Sequence, residues 1–130
     1  MSVETPPRPD LQAHSNAMRL EFPVMLKELR ELLGPKLVAY LAGVRETRTV
    51  REWCEGAPVK QDETARRLRV AFHVAAFLAE HDQASVVQAW FQGLNPQLED
   101  RSPAQLLRDE DLTEAGPQVL AAARAFVAQG

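Results

Sequence analysis

The sequence predicts an all-α protein. Three observations carry the prediction. Apolar residues recur at helical spacing along most of the chain. No stretch sustains the apolar–polar alternation of a half-buried strand. Aromatic residues make up only 6% of a chain rich in alanine, a composition that favours helices over a β-sandwich. With 130 residues there is room for one domain or two very small ones, and an apolar fraction of 45% can fill a core.

In chain order, residues 1–17 are polar and carry Pro6, Pro7 and Pro9, so a loose or disordered arm is expected there. Met1 to Asp10 has no apolar centre and does not read as a signal peptide. Phe22, Leu26, Leu29 and Leu33 then repeat at helical spacing; Pro23 suits a first turn, and Gly34-Pro35 is a stop. A short helix with Leu37, Val38 and Leu41 inward ends at Gly43, and another from Thr47 to Glu55 turns Val50 and Trp53 inward. The longest helix is expected over about Asp62 to Glu80, with Asp62 as cap. Its stripe of Ala65, Leu68, Phe72, Ala75 and Ala79 is joined by a second apolar face of Val70, Val74 and Phe77. A helix apolar on two sides should be buried on two sides. One small front bundle does not supply both covers, so a homodimer is expected.

Gln83 to Gln92 is a further helix. The stretch that follows is the most punctuated in the chain. Trp90 and Phe91 close the apolar run, and Gly93 can take positive φ and end the helix. Asn95 precedes Pro96 and is pushed towards an extended conformation, and Leu98 is an isolated apolar residue in a polar loop. Ser102 is a good N-cap with Pro103 pre-set at the first helical position, and Leu106 and Leu107 face inward. Asp109 to Gly116 reads as an acidic loop, and Pro117 to Ala128 as the last helix, with Val119, Ala122, Ala123, Phe126 and Val127 on one face.

Composition excludes several functions. A single cysteine, Cys54, allows no internal disulfide and suggests a reducing, cytoplasmic setting. Three scattered histidines beside it make no metal cluster, and no apolar run approaches a membrane span. Cys54 reads as a small packed apolar residue and His73 as a packed histidine, while His81 sits where a cation suits a helix C-terminus. Glu80, His81 and Asp82 lack an accompanying nucleophile or phosphate loop, so no enzyme, cofactor or small-molecule substrate is expected. Charge is uneven within a net −3. Lys36 to Arg69 holds eight basic and five acidic side chains, a balance of +3; from Val70 onward three bases face eight acids, a balance of −5. A basic half joined to an acidic half suggests two surfaces with two partners.

The tryptophan, the Asn-Pro step, the leucine, Ser-Pro and the paired leucine resemble the signature of the Xre/MbcA/ParS-like antitoxin family in its toxin-binding domain. The resemblance covers roughly Leu37 to Gly130. With the arm read from composition, it suggests four segments: the arm at 1–17, an Xre-like helix-turn-helix region at 18–60, a long connecting helix at 61–81 and a toxin-binding domain at 82–130. In the second segment, Ala39 lies four residues before Gly43 and Val44 follows, as the tight crossing of a helix-turn-helix requires. Thr49 to Trp53 resembles a Cro/Xre-type recognition helix, with Arg45, Thr47, Arg48, Thr49, Arg51 and Glu52 towards a DNA groove. The step from Gly43 to Val50 is one residue longer than the usual Xre pattern.

The family implies an antitoxin of a type II toxin–antitoxin pair whose cognate partner is a RES-type, NAD-consuming toxin, with autorepression through operator DNA. Toxin contact then falls on Trp90, Asn95, Pro96, Leu98, Ser102, Pro103, Leu106, Leu107, Phe126 and the terminal Gly130, where a carboxylate at the chain end would meet a cationic pocket. Phe126 serves either that contact or closure of the protein's own core. Two other functions fit the same residues: a stand-alone transcriptional regulator whose C-terminal half dimerises, and a polar-localisation adaptor.

Overall fold

The structure, a computed structural model, describes residues 21–130. The arm expected over 1–17 lies outside the described residues. Among the described residues seven α-helices follow one another: α1 (Phe22–Leu33), α2 (Pro35–Ala42), α3 (Thr47–Cys54), α4 (Asp62–Ala79), α5 (Ala84–Gln92), α6 (Pro103–Asp109) and α7 (Leu112–Gln129). A single 3-10 turn, Pro96–Leu98, interrupts the α5–α6 connection. No strand forms among the described residues, and the all-α class stands.

The front three helices are set by their stops. Met25, Leu26, Leu29 and Leu33 bury one stripe of α1. Gly34 at φ 86 then turns the chain in one residue, and Pro35 begins α2. Gly43 at φ 76 closes α2: its N–H donates to Tyr40 and that of Val44 to Ala39, at 3.1 and 3.0 Å. That is the double bond pattern of a left-handed helix stop. On α3, Val50, Trp53 and Cys54 are buried against α1 and α2.

Helix α4 is the centre. Thr64, Leu68, Ala71, Phe72, Val74, Ala75, Phe77 and Leu78 are buried on it, and it packs on α1, α2, α5, α6 and α7. Both apolar faces are therefore covered from within the chain. The face of α4 that motivated the expected homodimer is covered within the chain by α7, so the packing of α4 does not itself call for a second copy. Two long-range bonds tie front to back. Arg67 on α4 donates to the Leu41 carbonyl at 3.2 Å, and Gln88 on α5 donates to the Leu32 carbonyl at 3.0 Å. Each satisfies a carbonyl in the last turn of a front helix, where no intrahelical partner exists.

Two boundaries differ from expectation. The acidic loop expected over Asp109 to Gly116 is mostly helix, since α7 starts at Leu112. Asp111 caps it through Oδ1, which accepts from the Thr113 N–H at 3.1 Å. Leu112, Ala115, Gly116 and Val119 then continue the buried stripe, so Pro117 lies inside the helix rather than at its start. The carbonyl that Pro117 leaves unbonded belongs to Thr113; both residues are exposed, and water can take the bond. The α4 cap is Gln61, with Asp62 and Glu63 as first-turn acids that suit the positive helix end.

Two glycine substitutions should shift stability in opposite directions. A Cβ on Gly116 would rest 3.5 Å from Val70 Cγ1, an ordinary contact, so Gly116→Ala is expected to gain about 0.5–1 kcal/mol through helix propensity. Gly43→Ala forces a side chain into the left-handed region and is expected to lose about 1 kcal/mol. Urea unfolding midpoints at unchanged slope would check both. A loss at Gly116 would mean that α7 cannot tolerate one methyl against α4.

Candidate functional site

The Asn95 loop is built from one residue's three polar groups. Asn95 is extended at φ −123, as a residue before proline must be. Its N–H donates to the Arg101 carbonyl at 3.1 Å, and its carbonyl accepts from Leu98 and Asp100, each at 2.9 Å. Its Oδ1 accepts from the Gln97 N–H at 2.9 Å. Arg101 N–H closes the loop on Leu98 at 3.2 Å. To make this closure, Glu99 and Asp100 adopt φ 56 and 61. Successive left-handed conformations without glycine cost on the order of 1 kcal/mol each or more. Gly93, by contrast, is extended at φ −81. The positive φ expected at Gly93 is thus taken instead by Glu99 and Asp100, because α5 leaves in extended chain and the reversal comes after the 3-10 turn.

Leu98 is buried under this loop, against α7. Ser102 caps α6 as expected, its Oγ accepting from the Gln105 N–H at 3.1 Å, and Pro103 opens the helix. Arg101 pairs with Glu110 at 2.6 Å, joining the loop to the end of α6.

Of the residues assigned to toxin contact, Trp90, Leu98, Pro103, Leu106 and Leu107 are buried in the chain's own core. Their part is to fix the shape of this end of the molecule. Pro96, Phe126 and Gly130 are exposed, and Asn95 and Ser102 are half-buried. Phe126 is 36% exposed, with its ring centroid 6.4 Å from that of Trp90. It thus both leans on the core and faces water. The residue that sequence reasoning passed over is Leu94, 75% exposed. Its signal was present: a lone leucine between a helix-ending glycine and an Asn-Pro step belongs to no periodic stripe.

These groups enclose a groove of about 420 Å³ between the end of α5, the Leu94–Gln97 segment and the end of α7, with Trp90, Leu94, Pro96 and Phe126 among its walls. The Trp90 Nε1 is buried and has no hydrogen-bond partner among the described residues. A second cleft of about 360 Å³ shares Gln97 with the groove and carries Glu99, Glu110, Glu114 and Arg101.

The residues assigned to DNA lie on and before α3. Arg45, Thr47, Arg48, Arg51 and Glu52 are exposed and Thr49 half-buried, opposite Val50 and Trp53. Arg48 lies 3.8 Å from Glu46, and Arg51 3.6 Å from Glu55. Such exposed pairs are weak and exchange readily. Burial pushes the Cys54 thiol up, against a smaller opposite pull from Arg30 and Lys27. A neutral buried thiol is a poor nucleophile. His81 sets its ring edge-on to Phe77, 5.4 Å between centroids. Among the described residues no three metal-ligating side chains converge, and no helix is long and apolar enough to cross a membrane.

No protein-family model matches the chain, and no curated protein sequence matches it at a significant level. A solved structure does: a chain of the crystal structure of the M. tuberculosis MbcT–MbcA toxin–antitoxin complex, 28% identical, with TM-score 0.67. The likeness covers 82% of this chain and 94% of that one. The sequence motif and this structural likeness agree, and together they support the resemblance to the Xre/MbcA/ParS-like toxin-binding antitoxin family.

Proposed function

We propose that the chain is the antitoxin of a type II toxin–antitoxin pair and that it binds and neutralises a RES-type, NAD-consuming toxin as a protein inhibitor. The observation that carries this is the likeness to a chain of a toxin–antitoxin complex along 94% of that chain's length. The charge of the back half supports the same partner. An enzyme that takes an anionic dinucleotide needs a basic entrance, and a surface with eight acids against three bases is steered towards it. The exposed Phe126 supports a contact at the end of α7.

Two expected outcomes test this. Co-expressed with the product of the reading frame next to its gene, expected to be a RES-type protein, the chain should rescue growth and co-purify with that product; growth arrest with no co-purification would overturn the proposal. Removal of Phe126 to Gly130 should leave a folded chain that no longer rescues growth. Should the truncated chain fold and still rescue, the end of α7 plays no part in neutralisation.

The proposal extends to operator DNA through α3. What favours it is the row of Arg45, Arg48 and Arg51, all exposed on the side away from the buried Val50 and Trp53. Phosphate can displace the weak carboxylate partners of Arg48 and Arg51. Arg48→Ala and Arg51→Ala should each weaken binding of the promoter fragment and lower the slope of log affinity against log salt by about one. Unchanged affinity at every salt concentration would leave α3 as a packing helix and remove autorepression from the function. If DNA binding persists while no toxin is bound, a stand-alone regulator is the better description.

A further inference from the structure

We infer that the groove between α5 and α7 is the receptor for one apolar side chain of the toxin, flanked in the toxin by a basic residue that enters the adjoining acidic cleft. This rests on the antitoxin function proposed above and names the contact that would carry it.

Three observations converge on the groove. Leu94 is three-quarters exposed at its lip, although the loop that follows is held by four hydrogen bonds through Asn95. A leucine fixed in water by a rigid loop is unfavourable for the free chain and favourable for an occupant that covers it. At the same groove, the Trp90 Nε1 is buried with no acceptor. Leaving such a donor unmet is costly, and a turn of the ring as the occupant seats would bring the donor to a backbone carbonyl of that occupant. Charge then selects the occupant's neighbour. Across Gln97 the second cleft gathers the carboxylates of Glu99, Glu110 and Glu114 against the single guanidinium of Arg101, which is itself bonded to Glu110. Glu99 is held there in a strained left-handed conformation, and strain of that kind persists where surrounding structure imposes it, often at binding surfaces. An apolar side chain beside a lysine or arginine fits both halves. A second copy of this chain fits less well, because its back half carries the same excess of acid.

The test uses the full chain and the RES-type protein identified as its partner by the co-expression experiment above. Leu94→Ala should melt as the parent does, since the side chain is exposed, yet bind that protein at least tenfold more weakly. Glu99→Lys with Glu114→Lys should slow association and flatten its salt dependence. Parental affinity in Leu94→Ala would overturn the groove assignment while leaving the antitoxin function intact. Were the parent chain itself not to bind, the antitoxin function would fall and the groove assignment with it.

Discussion

An eighteen-residue helix that is apolar on two sides cannot stand in water, and the arrangement of the other six described helices follows from that constraint. Helix α4 takes α1 and α2 against one part of its surface and α5, α6 and α7 against the rest. The basic front and the acidic back are thereby fused through one continuous core. Arg67 and Gln88 reinforce the join by reaching forward to carbonyls at the ends of α2 and α1. Such bonds are worth about 1 kcal/mol each; their larger effect is to fix how the two halves face.

At the back, that fixed core carries a loop whose rigidity comes from Asn95. Its side chain and both backbone groups are used inside the loop, so the segment between α5 and α6 has one shape. The consequence for function is positional. Leu94 is held out, Leu98 is held in, and Glu99 and Asp100 are bent to one side. An inhibitor gains affinity when its contact groups are already in place, because less ordering is left for the moment of binding.

Much of this was legible in the sequence because the punctuation residues have few conformational choices. Gly34-Pro35, Gly43 and Ser102-Pro103 mark helix ends that the structure reproduces. The start of α7 was hidden because Pro117 looks like a first-turn proline and because Asp109, Glu110 and Asp111 look like a loop. In fact Asp111 is a cap, and a proline in an exposed second turn is tolerable. The expectation of a dimer shows a different limit: periodicity shows that a face must be covered but not what covers it. The same limit applies to the site. A motif of Trp, Asn-Pro and Ser-Pro identifies the region, yet its largest members, Trp90, Leu98 and Leu107, turn inward. The exposed Leu94 belongs to no period and is visible only once the loop is folded.

The most direct measurement is NAD consumption by the purified RES-type toxin proposed as the partner, its candidate being the product of the reading frame next to this chain's gene, followed as the purified chain is titrated in. Inhibition should be complete at a fixed, small-integer ratio of the two proteins, and should be unaffected by raising NAD once the complex has formed. NAD consumption that continues unchanged in the presence of excess folded chain would contradict an antitoxin function.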